Sequence, residues 1–145
     1  EGFPNLTDHE WLWGSDAEQI QTTILNGRMA MMPAWGPVLQ EQGVQEVTEY
    51  VMQLSGREVN TELASAGKTH FDTFCVACHG PEGAGQPMMG APALNNEIWL
   101  YGNSRLRIED AIRNGRSGQM PAFAERLGED KVHILSAYVK SLQQQ

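Results

Sequence analysis

The residues whose spacing carries the most chemistry are Cys75, Cys78 and His79, in the run Phe74-Cys75-Val76-Ala77-Cys78-His79-Gly80, and these are the only two cysteines of the chain. C-x-x-C-H has a short list of uses. A structural zinc site would need more Cys or His at finger-like spacing, and His9, His70 and His133 stand isolated. A thioredoxin-like redox pair would lie in a βαβ unit and would leave His79 idle. Covalent haem attachment uses all three residues. Cys75 and Cys78 form thioethers to the two vinyl groups of haem c, and His79 becomes an axial ligand of the iron.

Such an iron takes a second ligand or stays open to small molecules. Met120 is the candidate, in Asn114-Gly115-Arg116-Ser117-Gly118-Gln119-Met120-Pro121-Ala122-Phe123, a Gly-containing loop between two helical patterns. The competing role for a methionine is a flexible core filler. Met88 and Met89, just after the haem-binding run, are expected to pack rather than ligate. Ser104 or Asn103 is expected to cap a helix running through Ile112, with Leu106 and Ile108 packed inward.

Gly67, Phe71 and Cys75 recur at i, i+4 and i+8, one face of a helix leading into the cysteines. A last helix, about Glu129 to Leu142, carries Val132, Leu135, Tyr138, Val139 and Leu142 on one face. Gly67 would let Tyr138 approach its backbone where the two helices cross. The Pro81 carbonyl is placed to accept a hydrogen bond from His79 Nδ1, which would fix the ring. His9, His70 and His133 are expected at the surface. Residues of about 61 to 145 thus resemble a class I cytochrome c domain, having both the GxxxFxxxCxxCHG run and the Met-Pro loop.

The chain also repeats itself. Laid on residues 89–143 without a gap, residues 1–55 match at 20 of 55 positions, against about 3 expected by chance, so the repeat is a duplication. Trp11-Leu12-Trp13-Gly14 falls on Trp99-Leu100-Tyr101-Gly102, Asn26-Gly27-Arg28 on Asn114-Gly115-Arg116, and Met32-Pro33-Ala34-Trp35 on Met120-Pro121-Ala122-Phe123. Val44, Tyr50, Val51 and Leu54 fall on Val132, Tyr138, Val139 and Leu142. The same offset puts the equivalent of Cys75 upstream of Glu1. The expected organisation is all-α, with tandem class I cytochrome c domains of which the first is incomplete at its N-terminus. Residues 1–56 form the C-terminal two-thirds of the first domain, 57–62 a linker, and 63–145 a complete second domain. Met32 is then the distal ligand of a first-domain haem, in use only if that haem is present. One haem c site is expected here, and a second only with the missing N-terminal segment, whose absence is read as truncation rather than decay.

The W-L-Y/W-G pattern resembles the signature of the di-haem subunit family of cbb3-type cytochrome c oxidases, and the resemblance covers nearly the whole chain. It implies electron transfer through haem c with His/Met ligation, delivered to the haem–copper subunit. By itself such a chain is no enzyme. It also implies partnership with the other oxidase subunits and donor c-type cytochromes, a periplasmic location, and membrane attachment only through an N-terminal anchor that this chain lacks. Trp99 and Tyr101 could then donate to haem propionates, and Arg116 could pair with one by charge. Two alternatives share the iron site: a free periplasmic shuttle, and a di-haem peroxidase-type enzyme whose iron opens. Charge agrees with these readings. With 10 Lys+Arg against 18 Asp+Glu, the net −8 disfavours nucleic acid and anionic membrane surfaces and suits basic partners. No stretch approaches the roughly 18 apolar residues of a membrane span. Glu1-Gly2-Phe3-Pro4 lacks the charged start and apolar centre of an export signal, so such a signal is expected upstream.

Overall fold

Two short helices open the corresponding parts of the two repeats. Helix α1 (Ala17–Asn26) is capped by the Asp16 carboxylate on the Gln19 N–H, and its equivalent, α5 (Arg105–Asn114), by the Ser104 hydroxyl on the Arg107 N–H. Each cap satisfies an amide that the helix itself leaves unpaired. The four-residue spacing of Ile20 and Ile24, and of Ile108 and Ile112, gives each helix one buried stripe. Leu106 is the correction to the expected face: it is 75% exposed, because it precedes Ile108 by two residues and so lies on the side of the helix away from that stripe. Both helices end in Asn-Gly, where Gly27 (φ 68°) and Gly115 (φ 71°) hold backbone conformations that a Cβ would strain. The helices α3 (Thr61–Phe74), capped by Asn60, and α4 (Val76–His79) carry the C-x-x-C-H run. The structure, a computed structural model, describes residues 2–144.

After each Asn-Gly comes a five-residue strand, β1 (Arg28–Met32) and β2 (Arg116–Met120), and the two pair antiparallel with Ala30 opposite Gly118. Those two residues are themselves repeat equivalents, so an approximate two-fold axis passes between them. The all-α expectation did not include this ribbon. Beyond it lie α2 (Gly36–Leu54) in the first repeat, and α6 (Ala124–Leu127) with α7 (Glu129–Ser141) in the second. The repeats differ here in one instructive way. Gly128 breaks α6 from α7 at φ 74°, ψ 161°, and its equivalent Gln40 adopts φ 55°, ψ 180° inside α2. That region is close to glycine-only. Gln40 offsets part of the cost by donating from Nε2 to the Pro37 carbonyl at 2.7 Å. Gln40→Gly is therefore expected to stabilise the protein by about 1 kcal/mol, measured as a higher denaturation midpoint with unchanged slope.

The ribbon sends each chain across to the other repeat. Helix α2 packs on α3 and α5, whereas α7 packs on α1. One core joins Leu39, Val44, Val47, Tyr50 and Val51 to Phe71, Cys75, Ile108 and Ile112; the other joins Ile20 and Ile24 to Val132 and Val139. The backbone agrees: the Trp35 N–H donates to the Ile112 carbonyl at 2.9 Å and the Phe123 N–H to the Ile24 carbonyl at 3.0 Å. The units 1–56 and 63–145 therefore do not each close on themselves. It follows that Gly67 does not meet Tyr138, which is 60% exposed. A Cβ on Gly67 would lie 1.9 Å from the Glu46 carbonyl oxygen, so the helix crossing at Gly67 is α2. Tyr50, the repeat equivalent of Tyr138, is buried edge-on to Phe71 with ring centroids 5.2 Å apart.

Candidate functional site

Cys75 ends α3 and is buried, and Cys78 one turn later is half-buried; both are free thiols. Burial, reinforced by the nearby Cys78, pushes the Cys75 thiol up to about 11, so it stays protonated. His79 closes α4 and is buried, and its backbone is held on both sides. Its N–H donates to the Cys75 carbonyl at 2.9 Å, and its carbonyl accepts from the Gly85 N–H at 2.7 Å.

The imidazole Nδ1 lies 3.0 Å from the Pro92 carbonyl oxygen. A carbonyl can only accept, so Nδ1 carries the proton and the Nε2 lone pair is left for a metal. Pro92, not Pro81, is thus the orienting residue. Pro81 begins a tight turn, Pro81–Gly83, pointing the chain away, and the loop returns only where the Leu94 N–H donates to the Gly83 carbonyl at 2.7 Å. Burial lowers the His79 pKa, partly countered by the Pro92 hydrogen bond, so the ring is neutral, as a ligand must be. Pro92 matches Pro4 in the repeat, a signal that was present but pointed to no role.

The W-L-Y-G segment is built differently from the propionate reading. Trp99 Nε1 donates to the Asn96 carbonyl at 2.9 Å, as Trp11 Nε1 does to Asp8 at 3.0 Å. The indole N–H is therefore engaged within its own turn. Tyr101 lies under the Arg116 guanidinium, 5.2 Å from ring centroid to Cζ. Arg116 donates from Nη2 to Asp110 at 2.7 Å, yet its buried Nε has no partner. Hydrogen bonds from Asn114 and then Arg116 hold the Asp110 carboxyl below the usual range. Arg57 was not singled out by sequence. It stacks over Trp99, donates to the Asn103 carbonyl, and keeps a buried Nη2 without a partner. Burial and the neighbouring Arg105 lower its pKa. Two buried guanidinium N–H groups lacking acceptors beside one aromatic segment are a chemical match for anionic propionates.

Of the two Met-Pro methionines, Met32 packs against the core that contains Cys75, alongside Trp35. Met120 is carried to the other body. Its carbonyl would be 2.3 Å from a Cβ on Gly27, Phe123 packs with Ile20 and Ile24, and the Met120 side chain is 37% exposed. The structure thus brings Cys75, Cys78, His79 and Met32 to one body and does not bring Met120 to it. Met88 and Met89, expected to pack, are exposed. His9 and His133 are exposed too, and half-buried His70 pairs with Glu46 across the α2–α3 crossing at 3.0 Å.

The model of cytochrome c oxidase, cbb3-type, subunit III matches residues 1–51 and 62–139. The chain belongs to this family. Among similar relatives, the cbb3-type cytochrome c oxidase subunit CcoP of Rubrivivax gelatinosus is 42% identical over 99% of this chain and 47% of its own length. The subunit CcoP of Cereibacter sphaeroides is 38% identical over 97% and 52%, and the subunit FixP of Bradyrhizobium sp. 41% identical over 98% and 53%. The chain spans about half the length of these relatives. Membership of a subunit III family of cytochrome c oxidases implies covalently bound haem c, and the neutral His79, the two thiols and the unpaired arginine N–H groups suit that group. Among the described residues no helix is long and apolar enough to cross a membrane.

Proposed function

We propose that this chain is the electron-transfer part of a cbb3-type oxidase subunit, holding one haem c through Cys75 and Cys78 with His79 as an axial ligand. The observation that carries this is the buried, neutral His79, fixed by the Pro92 carbonyl within a C-x-x-C-H run. When bound, the haem supplies a one-electron couple. The protein's part is to keep the ring of His79 in one orientation, to offer a thioether from a Met-Pro arm (Met120, or its equivalent Met32), and to shield the iron. A neutral thioether and burial favour the reduced, less charged state and raise the potential. Arg57 and Arg116 hold the propionates, with Tyr101 supporting Arg116 through its ring face. The electrons pass to the haem–copper subunit from donor c-type cytochromes, for which the acidic surface selects basic partners. Thioether formation follows export, so the compartment is the periplasm.

The test is a pyridine haemochrome assay on the denatured, desalted chain. Haem is expected to stay with the polypeptide, and Cys75→Ser combined with Cys78→Ser is expected to release it. A chain that carries zinc, or that loses its haem on denaturation without those substitutions, overturns the reading.

A further inference from the structure

We propose that Trp13, a residue of the first repeat, is a positioning residue for His79: it holds down the loop whose Pro92 carbonyl orients the imidazole, and so tunes the potential of an iron bound there. The inference rests on the haem reading above and goes beyond it, because that reading stops at Pro92 and names nothing that holds Pro92 in place.

The loop is a small hairpin. The Gln86 N–H donates to the Ala91 carbonyl at 2.9 Å and the Ala91 N–H to the Gln86 carbonyl at 3.3 Å, around the tight turn Pro87–Met89. Gly90 closes that turn in the left-handed region, at φ 64° and ψ 26°. Pro92 lies between this pair of bonds and the one from the Leu94 N–H to the Gly83 carbonyl at 2.7 Å, so its carbonyl moves with the hairpin as a unit. These bonds tie the two sides of the loop to each other and leave its far end, at Gly90, to be held from outside.

Trp13 does this. A Cβ on Gly90 would lie 2.2 Å from Trp13 Cζ2 and 2.5 Å from Cε2, so the indole lies on the glycine backbone, and Gly90 is buried. Its loop neighbours Met88 and Met89 are exposed. Trp13 is itself fixed. The Arg28 guanidinium lies over its ring, Cζ 4.7 Å from the centroid, in a cation–π contact. Arg28 in turn donates from Nε to Thr23 Oγ1 at 2.8 Å and from Nη2 to Gln19 Oε1 at 3.3 Å, both on α1. Helix α1, Arg28, Trp13, the Gly90 turn and Pro92 thus form one line of contacts ending on His79 Nδ1. A small cavity lined by Trp11, Leu12, Gln86 and Pro92 gives the loop room to shift once the indole is gone. The other repeat supplies a contrast. A Cβ on Gly2, the equivalent of Gly90, would lie 3.5 Å from Tyr101, the equivalent of Trp13, which is ordinary contact. The tight seat therefore belongs to the loop that orients His79.

An acceptor on Nδ1 raises the basicity of a ligating imidazole and so favours the oxidised iron. Loosening the loop weakens that bond and raises the potential. The experiment measures the reduction potential of the haem-loaded chain and of Trp13→Phe and Trp13→Ala. Phenylalanine keeps a ring under Arg28 but is too short to cover Gly90, so Trp13→Phe tests the contact in a variant that retains the stack. Both substitutions are expected to raise the potential. In Trp13→Ala the rise is about 59 mV, a tenfold change in the oxidised-to-reduced ratio and the lower end of what an outer partner of a metal ligand contributes. Gly90→Ala, which pushes the indole off its seat, is expected to raise the potential of the parent and to add less in Trp13→Ala, because both act through one contact. Unchanged potentials in the Trp13 variants, or fully additive effects of the two substitutions, overturn the proposal. A chain without covalent haem overturns the haem reading by itself. The proposal is then read from nitrogen-15 shifts of the His79 ring, whose proton is expected on Nδ1 in the parent and partly on Nε2 in Trp13→Phe. An unchanged tautomer there overturns it.

Discussion

Gly67→Ala is expected to destabilise the protein by about 3 kcal/mol or more, a large share of the stability of a domain this size. An added methyl would sit 1.9 Å from the Glu46 carbonyl oxygen and 2.4 Å from its carbon. Both are backbone atoms in the middle of α2, which no rotamer change can move aside. Relief requires the helices to separate, and Ala64 and Phe71 on the same stripe of α3 are fully buried. Separation would open space around Phe71 and the Tyr50 ring that packs on it, adding lost contacts to the clash. Chemical denaturation followed by helical circular dichroism reads the effect, and Ser65→Ala, on the exposed side of α3, serves as the control. A Gly67→Ala protein within 1 kcal/mol of the parent, a margin typical of surface changes, would mean that the helices do not cross at this glycine.

The largest functional effect is expected from His79→Ala. On the haem reading proposed above, the two thioethers would keep the haem on the chain, so haem content should be unchanged. The iron loses its imidazole, and the oxidised spectrum should move from low-spin to high-spin. Electron transfer to an acceptor is expected to fall by about 100-fold or more, since losing a ligand disturbs a metal more than losing an outer partner of one, which costs about 10–100-fold. Added imidazole should restore the low-spin spectrum, because the substitution leaves only a methyl group where the ring stood and the remaining residues still shape the site. Low-spin haem in His79→Ala without imidazole would sink the assignment of His79 as ligand.

These two predictions draw on different layers of information. The C-x-x-C-H run was legible directly as a candidate for haem attachment, because it leaves few chemical uses for its three functional groups. The helix through Phe71 to Cys75, the Ser104 cap and the helix from Glu129 were legible for a similar reason: their signals are local, set by spacing along a few turns. Leu106 was grouped with Ile108 although residues two apart face opposite sides of a helix, and Pro81 was chosen over Pro92 because it is the nearer proline in sequence. A hydrogen-bond acceptor 13 residues away becomes near only after the intervening loop folds back through Gly83 and Leu94.

By itself the sequence determined the family, the duplication and the apolar stripe that both repeats carry. Only the tertiary structure decided which copy of each face meets which. Because the two repeats carry the same apolar stripe, Val44, Tyr50 and Val51 fit the pattern of α3 and α5 as well as Val132, Tyr138 and Val139 would. Hydrophobic burial is non-directional and cannot choose between equal stripes. The choice falls to groups that differ between the copies, Glu49 with Arg105 and Lys140 with the Ser15 carbonyl, and to the hinge glycines that let the strands cross. Those pairs lie 56 and 125 residues apart in the chain, and no local pattern brings them together.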